Sequence, residues 1–242
     1  MDAIILAAGF GTRLSPLTAA MPKALITLAG RPLLDIIISR LLSHGFQRIF
    51  INTHHMAEQI ESFLRKQSYP ATIQLSHEPV LLDTGGGIKK IVNDFSLSAP
   101  ILVHNVDILT TLDLQALHKT FFELNAEAVL AVRKRQTRRY LLFDENNNLC
   151  GRGNEKEEIT HLVRQPGGKL EFLGFSGIQV ISPALFKQYP EQKFTSIDLY
   201  LSAAESGKNI KAFRSERDYW RDIGKLEDLK EAEREFSNIA NT

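Results

Sequence analysis

Ala3-Ile4-Ile5-Leu6-Ala7-Ala8-Gly9-Phe10-Gly11-Thr12-Arg13, answered by Met21-Pro22-Lys23, is the stretch on which the reading of this chain turns. An apolar run of strand length empties into small residues and glycines, then delivers an arginine and a lysine. Residues 2 to 8 read as a buried parallel strand, because residues on both faces are apolar. Ala8, Gly9 and Gly11 keep side chains off the backbone, so its N–H groups can approach a phosphate or a base. Arg13 offers a planar fork and Lys23 a point charge, both suited to phosphate oxygens. A lone Gly-x-Gly also serves as a plain strand-to-helix turn with solvated cations.

The bulk numbers narrow the field. A chain of 242 residues accommodates one large α/β domain or a domain with a small appendage. It is 43% hydrophobic and 24% charged, the composition of a soluble globular protein. A formal charge of +1 predicts no electrostatic grip on nucleic acid or on an anionic membrane. One cysteine, Cys150, rules out an internal disulfide and fits a reducing compartment. The opening apolar run lacks a basic segment before it and ends in Gly-rich sequence with Arg13, unlike a signal peptide. No apolar run approaches the roughly 20 residues of a membrane span. A cytoplasmic protein is expected.

Outward from the opening stretch, the pattern is strand, helix, strand, helix, strand. Ala24 to Leu28 reads as a short strand. Pro32 suits the first position of a strongly apolar helix over Leu33 to Leu42, which Gly45 ends. Arg48 to Asn52 is a second buried strand, residues 57 to 66 a polar helix, and Thr72 to Ser76 an alternating strand. This order predicts a parallel sheet covered on both faces, with ligands collecting at the carboxyl ends of its strands. Three glycines, Gly85 to Gly87, precede a helix from about Ile88 to Val92. Such an entry leaves backbone N–H groups bare at the positive end of a helix dipole, or is simply flexible.

Ala99 to Val103 is another buried strand, ending in His104-Asn105-Val106-Asp107. An aspartate at such a strand end is a turn residue or a metal ligand, and Mg²⁺ takes one or two carboxylates plus substrate phosphates. Asp113 is expected to cap the next helix, Leu112 to Leu124, and Ala128 to Val132 to form a strand. Arg133 to Arg139 carries five cations in seven residues, either a solvated cluster or a grip for an anionic sugar phosphate. Asp144 to Asn148 reads as a hairpin turn. A short helix from Ser182-Pro183, a helix over 197 to 206, a strand over Ile210 to Phe213 and a charged helix from Lys225 to Phe236 complete the chain.

Leu14 stands where a dinucleotide fingerprint wants its third glycine, and the spacing Gly-x4-Gly-Lys-Ser/Thr is absent. A dinucleotide oxidoreductase and a P-loop ATPase are therefore disfavoured. The string Leu6-Ala7-Ala8-Gly9-Phe10-Gly11-Thr12-Arg13-Leu14 through Pro22-Lys23 resembles instead the signature of the sugar-1-phosphate nucleotidyltransferases. The Thr84-Gly85-Gly86-Gly87 turn, the Asp107 strand end and Trp220-Arg221-Asp222-Ile223-Gly224 extend the resemblance over nearly the whole chain. It implies an α/β fold, a Rossmann-like three-layer αβα sandwich on a mostly parallel mixed sheet. It implies one nucleotidyltransferase domain over 1–242, with a nucleotide-binding part at 1–132. A sugar-phosphate-binding part and C-terminal helix would occupy 133–242.

The implied reaction joins a nucleoside triphosphate to a sugar 1-phosphate, giving a nucleotide sugar and pyrophosphate. The resemblance makes Arg13, Lys23 and Asp107 catalytic, and Asp107 and Asp222 ligands of Mg²⁺. It assigns nucleotide binding to Ala8, Gly9, Gly11, Thr12, Arg13, Lys23, Thr84, Gly85, Gly86 and Asn105. Sugar-phosphate binding falls to Arg164, Gly174 and Ser176. Asp83 before the glycines most resembles the branch using UTP with N-acetylmuramate 1-phosphate, in cell-wall sugar recycling. GTP with mannose 1-phosphate and CTP with phosphocholine remain alternatives.

The chain departs from the family pattern in two places. Val106 replaces a glycine, so either that glycine is not needed for its backbone angle or the local path differs. Arg164-Gln165 replaces Glu-Lys before Pro166. Arg164 then supplies the charge from a neighbouring position, or the basic cluster does, or the sugar is held differently. These departures are the support for a second class of function, a catalytically inactive nucleotide-sugar binder with a regulatory role. The expected assembly is a monomer or a small homo-oligomer.

Overall fold

The computed structural model describes residues 1–154, 156, 158–190 and 192–239. In chain order its elements begin with strand β1 (Asp2–Leu6), the short pair β2 (Thr27–Leu28) and β3 (Arg31–Pro32), and helix α1 (Leu33–Ser43). Then come β4 (Arg48–Thr53), α2 (Ala57–Arg65), β5 (Thr72–His77), α3 (Asp83–Asp94), β6 (Ile101–Asn105), β7 (Ile108–Thr110) and α4 (Leu114–Glu123). Strands β8 (Ala128–Arg133), β9 (Arg139–Phe143), β10 (Leu149–Asn154), β11 (Ile159–Leu162) and β12 (Glu171–Ile181) follow. The chain closes with α5 (Pro183–Gln188), α6 (Ser196–Glu205), β13 (Ile210–Arg214), β14 (Trp220–Asp222) and α7 (Leu226–Ile239). This is the expected α/β fold, a mixed sheet with flanking helices. No helix among the described residues is long and apolar enough to cross a membrane.

The chain forms two compact units. The first contains Met1–Leu81, His104–Thr111 and the chain from Tyr219 onward. Its strands β1, β4 and β5 pair in parallel, in that order. In this register Asp2 lies beside Arg48, whose Nε donates to Asp2 Oδ1 at 2.8 Å. Both faces of β1 are buried, as its unbroken apolar run requires. A second apolar cluster joins Leu14, Ile26, Leu28, Leu33 and Ile36 to Leu109, Ile223, Leu229 and Ala232. It gathers the loop after β1, helix α1, the β7/β14 ribbon and α7 around one core.

The second unit comprises Leu82–Val103 and Leu112–Asp218. Here β12 pairs antiparallel with β8 and β9, β10 lies antiparallel between β9 and β11, and β13 runs parallel to β8. The β12–β8 register shifts between Phe175 and Gln179, and Gly177 in that bulge has φ +76°. Asp113 caps α4, its Oδ1 accepting from the N–H groups of Gln115 (2.9 Å) and Ala116 (3.0 Å). Asp144 organises the β9–β10 turn by accepting from the N–H groups of Asn146 and Asn148.

Three local expectations are corrected. Ala24 to Leu28 is a 3-10 turn over Lys23–Leu25 followed by the two-residue β2. Pro32 closes β3 and precedes α1 instead of opening it. The glycines Gly85 to Gly87 are not an entry loop, because α3 already begins at Asp83, a non-glycine residue with φ +64°. The N–H groups of Gly85 and Gly86 are not bare: both donate to the Phe194 carbonyl, at 2.9 and 3.2 Å. Segment 192–194 runs so close that a Cβ at Gly85 would lie 2.3 Å from the Phe194 ring, and one at Gly86 would lie 2.2 Å from the Gln192 oxygen. These glycines are required by packing. Gly86→Ala is therefore expected to destabilise the fold by about 1–3 kcal/mol in urea unfolding. Gly9→Ala, whose Cβ would meet nothing within 4 Å, should stay within about 0.5 kcal/mol of the parent.

Candidate active site

The opening strand reaches its loop under tight control from its neighbours. The Ala7 N–H donates to Asn52 Oδ1 at 2.7 Å, and Asn52 Nδ2 donates to Glu78 Oε1 at 2.7 Å. His54 Nδ1 lies 2.7 Å from the Glu78 carbonyl, so that nitrogen carries the proton. Asn52 and Glu78 are both buried, and this chain of contacts joins the carboxyl ends of β1, β4 and β5. The site sits where a parallel sheet places its ligands.

Ala8 is buried, whereas Gly9 is exposed with open space at its α-carbon. Gly11 has φ +64°, and a Cβ there would meet Thr18 Cγ2 at 2.9 Å and Lys23 Cβ at 3.0 Å. The loop closes on itself through the Thr18 hydroxyl, which donates to the Gly11 carbonyl at 3.1 Å. Thr12 and Arg13 begin a 3-10 turn and are exposed. Arg13 makes no hydrogen bond among the described residues. Lys23 is buried at the start of its own 3-10 turn.

Lys23 Nζ lies 2.5 Å from Asp107 Oδ2. Asp107 reaches that position because the Val106 N–H donates to the Leu6 carbonyl at 3.1 Å, tying the end of β6 to the end of β1. Val106 has no positive φ, so the glycine usual at this place is not needed for its backbone angle. Neighbouring His104 is fully buried, with Nδ1 against the Asn105 carbonyl at 2.8 Å. Burial pushes its pKa down to about 4, leaving the ring neutral.

Asp222 is delivered from the other end of the chain. Strand β14 pairs antiparallel with β7, setting Asp222 beside Ile108, and the Ile223 N–H donates to the Asp107 carbonyl at 2.8 Å. The Oδ1 of Asp222 is buried and has no hydrogen-bond partner among the described residues. Burial pushes this carboxyl above the ordinary carboxylate value, and Asp107 adds to the effect, while Lys23 and Arg13 oppose it. At Gly224 a Cβ would lie 3.1 Å from Arg13 Nη2 and 3.2 Å from Asp222 Oδ1. Glycine thus admits the guanidinium to the side of the aspartate.

The first unit therefore brings together Arg13, Lys23, Asp107 and Asp222 beside the Gly9–Gly11 loop, with Asn105 on the strand before Asp107. Two hard carboxylates, one with an orphaned oxygen, fit a divalent ion such as Mg²⁺. No group of three or more His, Cys, Asp or Glu residues that could hold a metal occurs among the described residues. An ion here would need substrate phosphate oxygens to complete its shell.

The second unit holds the remaining expected residues in separate places. The Thr84 hydroxyl accepts from the Ser196 N–H at 3.0 Å, fastening the start of α3 to the start of α6. Arg164 Nη2 donates to the Lys208 carbonyl at 2.7 Å. Ser176 is buried, its hydroxyl 3.5 Å from that of Ser215. Arg135, from the basic cluster, lies across Gly174: its Nε is 2.7 Å from where a Cβ would stand, and its Nη2 donates to the Phe175 carbonyl at 3.0 Å. Of the charges considered for the sugar side, it is therefore Arg135 that approaches Gly174. Sequence reasoning missed Asn52, Glu78 and Gly224. A polar residue ending an otherwise apolar strand was the available signal for Asn52.

The sequence pattern of the nucleotidyl transferase family matches residues 2–238. The chain belongs to that family. N-acetylmuramate alpha-1-phosphate uridylyltransferase of Neisseria meningitidis serogroup B is 32% identical to this chain, over 96% of it and 97% of the relative. UTP–glucose-1-phosphate uridylyltransferase of Synechocystis is 29% identical over 99% of this chain, which spans 65% of that relative's length. Among solved structures, HddC from Yersinia pseudotuberculosis complexed with GMP-PN has a TM-score of 0.74 at 25% identity, over 97% of this chain and 99% of HddC.

A carboxyl with a raised pKa holds its proton more tightly in the folded state, so ionising it costs stability as the pH climbs past the ordinary carboxylate value. In the presence of a chelator, Asp222→Asn should therefore be more stable than the parent at about pH 7. That advantage should shrink as the pH falls toward about 4, which thermal unfolding across pH would measure.

Proposed function

We propose that this chain transfers a nucleotidyl group from a nucleoside triphosphate to a sugar 1-phosphate, releasing pyrophosphate, with UTP and N-acetylmuramate 1-phosphate as its substrates. The observation that carries the reaction type is the convergence of Arg13, Lys23, Asp107 and Asp222 on one side of an open, glycine-lined loop. Asp83-Thr84-Gly85-Gly86-Gly87 and the 32% identical Neisseria uridylyltransferase support the substrate pair.

An oxygen of the sugar phosphate attacks the α-phosphorus of the triphosphate. A P–O bond forms there as the bond to the β-phosphate breaks, and the electron pair leaves with pyrophosphate. The attacking oxygen is already ionised at neutral pH, so no side chain has to remove a proton. What remains for the protein is positioning and charge neutralisation. Lys23, buried and held by Asp107, is placed to meet the α-phosphate. Arg13, exposed and without a hydrogen bond among the described residues, would meet the departing pyrophosphate. Ala8 and Gly9 let the base and ribose lie against the backbone. Asp107 and Asp222 would hold Mg²⁺, which when bound neutralises phosphate charge.

The likeness to HddC, whose structure contains GMP-PN, favours GTP as the nucleotide of a second reading, in which mannose 1-phosphate is the sugar phosphate. Both readings are tested by pyrophosphate release in Mg²⁺, crossing UTP, GTP, CTP and dTTP with N-acetylmuramate, N-acetylglucosamine, mannose and glucose 1-phosphates and phosphocholine. One active combination is expected, and Lys23→Ala or Asp107→Ala should lower its kcat by roughly 10²–10³. No release from folded protein in any combination would overturn the transferase and favour the regulatory nucleotide-sugar binder.

A further inference from the structure

Asp222 stands on a strand of three residues that, among the described residues, pairs only with the three-residue β7. A two-stranded ribbon is marginal in water by itself, so beyond the Ile223 N–H on the Asp107 carbonyl and the burial of Ile223, the place of Asp222 depends on what grips the strand from the side of α7. That grip is a charged clamp. Side chains alternate along a strand, and the residues flanking Trp220 both reach α7. Arg221 Nε donates to Glu235 Oε2 at 2.9 Å and its Nη2 to Glu235 Oε1 at 2.6 Å, a two-pronged contact. The remaining prong, Nη1, donates to Glu231 Oε2 at 2.7 Å. The Tyr219 hydroxyl donates to Glu235 Oε2 at 2.7 Å.

Glu231 and Glu235 are four residues apart on one helix face, where like charges repel. The Arg221 guanidinium removes that repulsion. A network built on bidentate arginine geometry fixes position in a way that an isolated surface pair does not. Glu235 is held below the usual carboxylate range chiefly by its hydrogen bond from Arg221. Leu229 and Ala232 on the same helix pack with Ile223 and Leu109, so α7 is itself anchored to the core beneath the ribbon.

We infer that Glu235 is a positioning residue of the metal site, which through Arg221 and Tyr219 fixes the strand that presents Asp222 beside Asp107. The inference rests on the proposed reading of Asp107 and Asp222 as ligands of a divalent ion. Partners behind metal ligands typically govern about 10–100-fold in metal affinity.

The test is Mn²⁺ binding to the full chain in the presence of a saturating nucleoside triphosphate, which supplies the phosphate oxygens the site lacks, followed by electron paramagnetic resonance, for the parent, Glu235→Ala, Glu235→Gln and Asp222→Ala. Glu235→Ala is expected to weaken Mn²⁺ at least about tenfold, with circular dichroism unchanged. Glu235→Gln, which keeps an acceptor for Arg221, should lose less, and it carries the test if the alanine variant does not fold. In turnover, excess Mg²⁺ should restore kcat to Glu235→Ala, a response that a general loss of structure would not give. Parent-like Mn²⁺ affinity in folded Glu235→Ala, with Asp222→Ala impaired, would overturn the inference and leave the site reading standing. A parent that binds no Mn²⁺, or an unaffected Asp222→Ala, would overturn the metal site itself and the inference with it.

Discussion

The contact on which the site depends is the ion pair between Lys23 and Asp107. A buried ammonium is tolerable only when it is paired, because desolvation would otherwise strip it of its charge. Here the partner is supplied by a residue 84 positions away in sequence. The loop after β1 is therefore held partly by Asp107, which follows β6. The Val106 N–H on the Leu6 carbonyl makes the placement of Asp107 a matter of backbone pairing. The fold thus brings a cation and an anion together before any substrate arrives, and both are groups that a triphosphate and its metal would engage.

A second constraint operates beneath the loop. Asn52 and Glu78 are polar groups sunk among apolar strands, and each would be costly without its partners. Their bonds run from Ala7 across to His54, so that the three parallel strands end in register. The glycine loop therefore starts from a fixed point even though Gly9 itself is open. Rigidity below and openness above are what a backbone surface for a nucleotide requires.

Much of this was legible in the sequence, and the illegible parts have physical reasons. The apolar runs of β1, β4 and β6 are long enough to declare themselves, and Asp113 announced its helix by cap chemistry. Strands β7 and β14 were not visible, since three residues each leave no periodicity to detect. Their partners lie more than a hundred positions apart in sequence. The start of α3 was misread because three glycines argue against a helix by propensity. Tertiary contact decided otherwise, as the Phe194 carbonyl takes two of the N–H groups and leaves no room for a Cβ. The charges on the sugar side were ambiguous in sequence because a cluster of cations does not say which member turns inward. In the structure Arg135 is the member of the cluster that lies across Gly174.

The glycines show why a motif string is a weaker guide to chemistry than the string itself suggests. Gly9 has open space at its α-carbon, so a side chain would cost the fold little, and only a ligand would object. Gly11 is held at a positive φ, so its loop would be strained by any other residue. Gly85 and Gly86 are pressed against another segment of chain, and Gly224 is pressed against an arginine and an aspartate of the site. One residue type therefore answers four separate demands: ligand access, backbone angle, core packing and the approach of two charges. Under the proposed function, only the first and last concern the reaction. Substitutions at Gly11, Gly85 and Gly86 would lower activity through the fold, and a loss there would say nothing about where a nucleotide binds. Gly9 is the position where structure and function separate, because there the fold has no stake in the missing side chain.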